Sequence, residues 1–533
     1  MKYQNYTNLI ILLIFLFFLI TGIVIFDDYG ISWDEHFQRI DGFIALNSIR
    51  EMLSLETYEG FNHSDQRFAE AAKIYGVLYN LPLAVIEKAF SIDDSKNYFL
   101  IRHLANFLIF YISTIFFYLL LKKRFSTKLS ILGLIFLILS PRIFADSFYN
   151  NKDLIFLSLF IISIYFTINF INQITYANSF FAALTCAFAT DVRVIGIIAP
   201  LITLFFFFLE AAGNKRFFIK YYIKIVSFLT LYIFFVFIFW PYLWNDPLVN
   251  FFNTLKIMSS YSWSGGIFYL GEYINALNLP WHYPIVWILI STPILYIILF
   301  IIGSILIFSK ISSNFINLTN SNSSKDIWNN NNEKTDLIFI IIFYFTLFLI
   351  IKLNSTLYGG WRHLYFIYPC LIYISVKGLE FIINKISFKY TLIFTIPFLI
   401  FTFLWMVQNH PYQFIYFNKL AGKNVENKFE LDYWGTSNKD ALDYILNNSE
   451  EKIIKIYILS SSPYEYSLSL IDKNKRGRIE FVDNQKDADF LVTNHYYQKD
   501  SPVNVNDKLK KEFEIFKEFK VDGMPINTIF KNN

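Results

Sequence analysis

Charge is what this chain has least of. Asp, Glu, Lys and Arg make up 17% of its 533 residues, against roughly a quarter in soluble proteins, which excludes a soluble enzyme of this length. Cysteine is nearly absent. Cys186 and Cys370 both lie inside apolar runs, so the sequence offers no disulfide framework. The 19 glycines and 14 prolines are too few for a collagen or a low-complexity chain. A net charge of +4 gives no basis for nucleic-acid binding. The sequence holds no HExxH or CxxC metal spacing, no P-loop and no GxSxG elbow. What is abundant is apolar: 55% hydrophobic residues, with a mean hydropathy of +0.41. The 20% aromatic content accompanies high Ile, Lys and Asn and reads as compositional bias. The chain is a polytopic membrane protein.

A bilayer core of about 30 Å takes about 20 apolar residues per helix. Spans are predicted at 9–26, 98–121, 129–145, 153–171, 177–191, 194–211, 221–243, 284–309, 336–353, 363–382 and 389–406. The fifth and sixth are short and part only at Asp191-Val192-Arg193. The first has no small-residue cleavage site and reads as an anchor. With a cytoplasmic N-terminus, the cytoplasmic loops carry Lys122, Lys123, Arg124, Lys128, Lys215, Arg216, Lys220, Lys224, Lys310, Lys325, Lys334, Lys385 and Lys389. The opposite loops carry only Arg142, Lys152, Arg193, Lys256 and Arg362. That bias favours eleven spans in the cytoplasmic (inner) membrane, with an extracytoplasmic C-terminus.

The expected architecture is therefore a membrane domain, 1–406, and a small extracytoplasmic α/β domain, 407–533. Large outward loops fall at 27–97 and 244–283. The first of them holds an amphipathic stretch, Tyr75 to Phe90, suited to the membrane interface. The stretch 310–335 is rich in Ser and Asn and reads as a flexible loop. In the tail, strands are predicted at Lys452 to Ser460, Arg478 to Val482 and Asp489 to His495, and a helix from Ser437, capped by Ser437, to Asn447. Val521-Asp522-Gly523 marks a turn between two final strands.

Unusual polar residues collect in the outward loops. Asp34, Glu35, His36 and Arg39 follow the first span within six residues. On a helix starting at Ser32, Glu35 and Arg39 are i,i+4 partners and Asp34 sits near the positive end of the dipole. Such a carboxylate stays ionised and suits a general base; a helix-capping cluster fits the same residues. Asp146, Asn150, Asn151, Lys152 and Asp153 form a second group, with Asp153 at the lip of a span where an unpaired charge is costly. Asp191 and Arg193 read as an ion pair at a turn. Gly359-Gly360-Trp361-Arg362-His363 allows a close backbone approach and places a guanidinium suited to a phosphate; an interfacial arginine fits equally. The tryptophans of 244–283 (Trp244, Trp263 and Trp281) suit either sugar stacking or the interface.

An acidic pair just after the first span, an Asp in the second outward loop and a C-terminal outward domain resemble the GT-C glycosyltransferases. Asp34-Glu35-His36-Phe37 resembles the start of the first outward loop in the protein O-mannosyltransferase and aminoarabinose-transferase group. The stretches from His410 to Asn418 and from Asp432 to Gly435 resemble the tail of some bacterial members. Unlike protein mannosyltransferases, this chain has no residue between the acidic pair and the His, and it has no sugar-binding insert in an outward loop. The resemblance implies a polyprenyl-phosphate sugar donor, inversion at the anomeric carbon, and a protein, lipid or glycan hydroxyl as acceptor. It implies Asp34 as the base, Glu35 as its orienting neighbour, and Asp153 as a group binding acceptor or metal. Arg39, Arg193, Arg362 and His363 are then the candidates for the donor phosphate. No cofactor is indicated; a divalent cation held by scattered carboxylates stays open. Two other readings compete: a transporter or flippase of an envelope lipid or glycan, and an oligosaccharide ligase of similar topology. Transporters favour charges near the midplane and internal repeats, and this sequence has neither. A reporter active only in the cytoplasm, fused to the C-terminus, is expected to stay silent; a strong signal would overturn the topology.

Overall fold

The computed structural model describes residues 2–61, 74–259, 263–320, 327–496 and 513–532. Part of the expected outward loop 27–97, residues 62–73, lies outside these residues. α1 (Lys2–Ile25) leads to α2 (Trp33–Met52), and the short α3 (Asn80–Ala89) precedes the 30-residue α4 (Ser95–Arg124). α5 (Thr127–Ile138) and α6 (Pro141–Tyr149) are followed by α7 (Asp153–Asn172), α8 (Tyr176–Val192), α9 (Ile198–Gly213) and α10 (Lys215–Phe239). The segment 244–283 holds α11 (Pro247–Ser259) and an antiparallel hairpin, β1 (Gly266–Tyr269) with β2 (Glu272–Asn275). α12 (Tyr283–Ser291), α13 (Ile294–Asn320), α14 (Asn331–Lys352), α15 (Tyr368–Ile386) and α16 (Phe388–Gln408) complete the membrane part.

All eleven expected segments are helical, but they do not all cross as single straight spans. Among the described residues nine helices are long and apolar enough to do so, or ten if a bent pair counts as one. That pair is α5 and α6, which meet at 62°; Pro141, at the start of α6, cannot continue the ladder of α5. The expected span 284–309 is split between α12 and α13 at Thr292-Pro293 for the same reason. α8 has 17 residues, a rise of about 26 Å, short of the usual core. The expected loop 310–335 is mostly helix end, since α13 runs to Asn320 and α14 begins at Asn331; residues 321–326 lie outside the described set.

The tail folds as the strand pattern predicts. β3 (Ile454–Ile458), β4 (Ile479–Phe481), β5 (Phe490–Thr493), β6 (Glu514–Val521) and β7 (Met524–Lys531) form one sheet in the order β4-β3-β5-β7-β6. The first three are parallel, and β7 is antiparallel to both of its neighbours. α17 (Ser437–Asn448) packs Ala441, Leu442 and Ile445 into the core of this sheet. Ser437 is not its cap. The Asp432 carboxylate instead accepts the backbone N–H groups of Gly435, Thr436 and Ser437 at 2.8–3.1 Å, which satisfies the orphan donors of the first turn. Burial pushes Asp432 up to about 6 in spite of these bonds.

The tail lies against the segment that follows α1. Trp33 N donates to Trp434 O at 3.1 Å, and His36 stacks on Tyr466 with ring centroids 4.5 Å apart. A Cβ placed on Gly30 would meet the Thr436 carbonyl oxygen at 2.0 Å. Gly30→Ala is therefore expected to cost about 1–3 kcal/mol, measured as a lower melting temperature in detergent. An unchanged melting temperature would mean that this seam is loose.

Candidate functional site

The start of α2 sets two adjacent carboxylates to different tasks. Successive residues on a helix point about 100° apart, so Asp34 and Glu35 cannot face the same way. Glu35 turns inward and is fully buried. One of its oxygens accepts the Ser32 N–H at 2.7 Å and the other lies 2.9 Å from His103 Nε2 on α4. Ser32 Oγ donates to the Tyr149 carbonyl. Asp34 turns outward, with 32% of its side chain exposed.

Asp34 meets Arg362, whose Nη1 lies 2.6 Å from Asp34 Oδ2 and 3.4 Å from Asp153 Oδ2. The other oxygen of Asp153 is paired with Arg193. Asp34, Asp153, Arg193 and Arg362 thus come together from four separate segments. Arg362 reaches this place because Gly359 and Gly360 both take positive φ, +60° and +66°, a conformation that favours glycine. Its guanidinium lies 4.8 Å from the Tyr358 ring and 4.5 Å from that of Trp434. The Trp263 ring lies against that of Tyr358, centroids 4.4 Å apart and tilted by 38°. Asn150 holds the base of the cluster: its Nδ2 donates to Asp153 at 3.3 Å and to Asp146 at 3.2 Å, and its Oδ1 accepts Asp153 N–H at 2.8 Å. Asp146 also accepts Tyr149 OH and Trp434 Nε1.

Other expected residues are engaged elsewhere. Arg39 does not pair with Glu35; its guanidinium grips Glu87 of α3 and lies 3.8 Å from the Tyr98 ring. Arg102 approaches the same carboxylate at 3.6 Å. Asp191 does not pair with Arg193 but accepts the Leu78 N–H at 2.8 Å, anchoring the stretch before α3. His363 follows Arg362 and sits edge-on to Tyr358, 4.5 Å between centroids.

Lys152 belongs to the polar group before Asp153, but nothing in the sequence assigns it a role of its own. Its Nζ lies over the Tyr75 ring, in the link just before Asp153. Burial, then the charge of Arg193, lowers it to about 7, against the opposing pull of Asp41, Asp34 and Asp153. His103 was missed as well, although a lone histidine in a polar stretch of a span is a signal in itself. A divalent ion does not fit the pair Asp34 and Asp153 as arranged, because the Arg362 guanidinium occupies the place between them. Among the described residues no three His, Cys, Asp or Glu side chains are grouped to hold a metal.

Residues 85–240 match the family described as dolichyl-phosphate-mannose-protein mannosyltransferase. The matched segment contains His103, Asn150, Lys152, Asp153 and Arg193, and over it the chain is similar to membrane glycosyltransferases of the GT-C type. No curated protein matches the chain in sequence. Among solved structures, ArnT from Cupriavidus metallidurans in the apo state matches with a TM-score of 0.47 and 10% identity over 97% of both chains. The same protein bound to undecaprenyl phosphate gives 0.46 and 9%, over 96% of this chain and 97% of that one. The Archaeoglobus fulgidus oligosaccharyltransferase in its apo form gives 0.46 and 11%, over 90% of this chain and 69% of that one.

Asp153 is 1% exposed and faces two guanidinium groups. Asp153→Asn leaves both cations short of a partner, and breaking a buried pair costs about 3–5 kcal/mol. Its melting temperature in detergent is expected to fall well below that of Asp34→Asn, whose carboxylate is partly solvated. Equal melting temperatures would mean that Asp153 is not the keystone of the pairing.

Proposed function

We infer that this protein is a polyprenyl-phosphate-dependent glycosyltransferase that inverts the anomeric carbon and acts at the outer face of the cytoplasmic membrane. The observation that carries the reading is Asp34, a partly exposed carboxylate paired with a buried arginine at the end of the bundle covered by the tail. The name of the matched family, which specifies a dolichyl-phosphate sugar, supports a donor of that chemical class. The charge bias of the loops supports the outer face.

In the proposed reaction the acceptor hydroxyl gives its proton to Asp34 as its oxygen attacks the anomeric carbon. The bond from that carbon to the phosphate oxygen breaks, and the lipid phosphate leaves with the electron pair. A single displacement of this kind inverts the centre. Charge building on the leaving phosphate needs fixed cations: Arg362 and Arg193, paired with Asp34 and Asp153, supply them, with Lys152 next to Asp153 in the chain. Asp153, too buried to reach substrate, positions the two arginines. Glu35, with His103, fixes the helix that carries the base. Arg39 and His363 act at the margin, the first through Glu87 and the second beside Tyr358.

Asp34→Asn keeps the size of the side chain and removes the proton acceptor. Transfer is expected to slow by about two to four orders of magnitude, read as release of lipid phosphate from a panel of undecaprenyl-phosphate sugars by purified protein. Protein yield should hold and the melting temperature should fall less than in Asp153→Asn, since Arg362 keeps Asp153 as a partner and the Asp34 position is partly solvated. Full transfer activity in Asp34→Asn would end the assignment.

A further inference from the structure

A cavity of about 370 Å³ opens at the end of the bundle opposite Asp34. Its position follows from α4. The first residue, Ser95, donates to Ser469 in the tail domain, and the last, Arg124, lines the cavity after a rise of about 45 Å. Three helices each turn one stripe toward the space. α13 presents Leu306, Lys310 and Asn314, at i, i+4 and i+8. α14 presents Glu333 and Asp336, and α15 presents Lys377, Glu380 and Phe381.

The charges balance: Arg124, Lys310 and Lys377 against Glu333, Asp336 and Glu380. Arg124 forks onto Asp336 at 3.0 and 3.1 Å and reaches both oxygens of Glu380 at 3.3 Å. Lys377 lies 2.8 Å from Glu380. Lys310 is held most loosely, 3.5 Å from Glu333 with about half of its side chain exposed. The apolar wall is open to the side, since Phe381 is 40% exposed and Ile305 and Phe308, on the neighbouring face of α13, are also exposed. A cavity with no net charge, both signs within reach and an apolar mouth does not select a simple anion or a simple cation. It matches a group that carries both charges above an acyl chain.

We propose that the cavity between α13, α14 and α15 binds the headgroup of a zwitterionic phospholipid with a primary ammonium, of the phosphatidylethanolamine kind. The phosphate meets Lys310, and the ammonium takes the Glu333 oxygen that Lys310 holds loosely at 3.5 Å, while Glu380 stays with Arg124 and Lys377. The first carbons of the acyl chains lie along Leu306 and Phe381. The site is distant from Asp34 and independent of the transfer reaction.

The test is native mass spectrometry of the delipidated full-length protein, offered equimolar phosphatidylethanolamine and phosphatidylglycerol. Phosphatidylethanolamine adducts are expected to exceed phosphatidylglycerol adducts by about tenfold, equivalent to about 1.4 kcal/mol. Lys310→Ala should lose most of them with the melting temperature unchanged, and Lys310→Arg should keep them. Equal retention of the two lipids would reduce the site to a nonspecific lipid contact and overturn the proposal. Displacement of the lipid by millimolar inorganic phosphate, or an undiminished adduct in Lys310→Ala, would also overturn it.

Discussion

One guanidinium joins parts of this protein that lie far apart in the sequence. Arg362 lies between Asp34 and Asp153, which come from the segment after α1 and from the start of α7, while Arg362 itself precedes α15. A buried arginine without carboxylates would be strongly unfavourable, and a carboxylate as buried as Asp153 without cations equally so. Each charge therefore makes the position of the others obligatory. Trp434 from the tail covers the guanidinium and bonds Asp146, so the last quarter of the chain is bound to the same point. The helices supply distance and direction; the ion pairs supply the register.

The same constraint explains the division of labour between neighbours in sequence. Asp34 and Glu35 differ by one methylene and one position, yet one is partly solvated and the other sealed against His103. Arg39, one turn on, is drawn to Glu87 and away from the cluster. Charge density along the chain marked the region correctly, but the face each residue takes is decided by what α3 and α4 offer in three dimensions.

That contrast sets how far the sequence could be read. The apolar runs located the helices, because lipid leaves the backbone no alternative to pairing within the segment. Alternating hydrophobicity located the tail strands, and Asp522-Gly523 marked the turn between β6 and β7. The breaks at Pro141 and Pro293 were visible as prolines, but a hydropathy window averages over them. The ion pairs were not readable. Asp191 and Arg193 are two residues apart and looked like partners, whereas each is bound by a group forty or more residues earlier, Leu78 and Asp153. Local spacing favours near partners; a folded bundle pairs whatever its helix ends bring together. Lys152 was visible in the second polar group but carried no assigned role, because a lysine in a short polar loop is ordinary until it is buried over the Tyr75 ring.

The order of synthesis gives the tail contact a further meaning. Asp34 is made early and Arg362 much later, and Trp434 follows only after every membrane helix has been threaded. Until residue 434 has emerged and docked, Asp146 lacks its indole partner and Arg362 lacks one of its two flanking rings. A chain still on the ribosome thus carries all of its spans but an unfinished cluster. The cluster is completed only by the tail, so a stalled or prematurely ended chain would occupy the membrane without the contacts that Trp434 makes to Asp146 and Arg362.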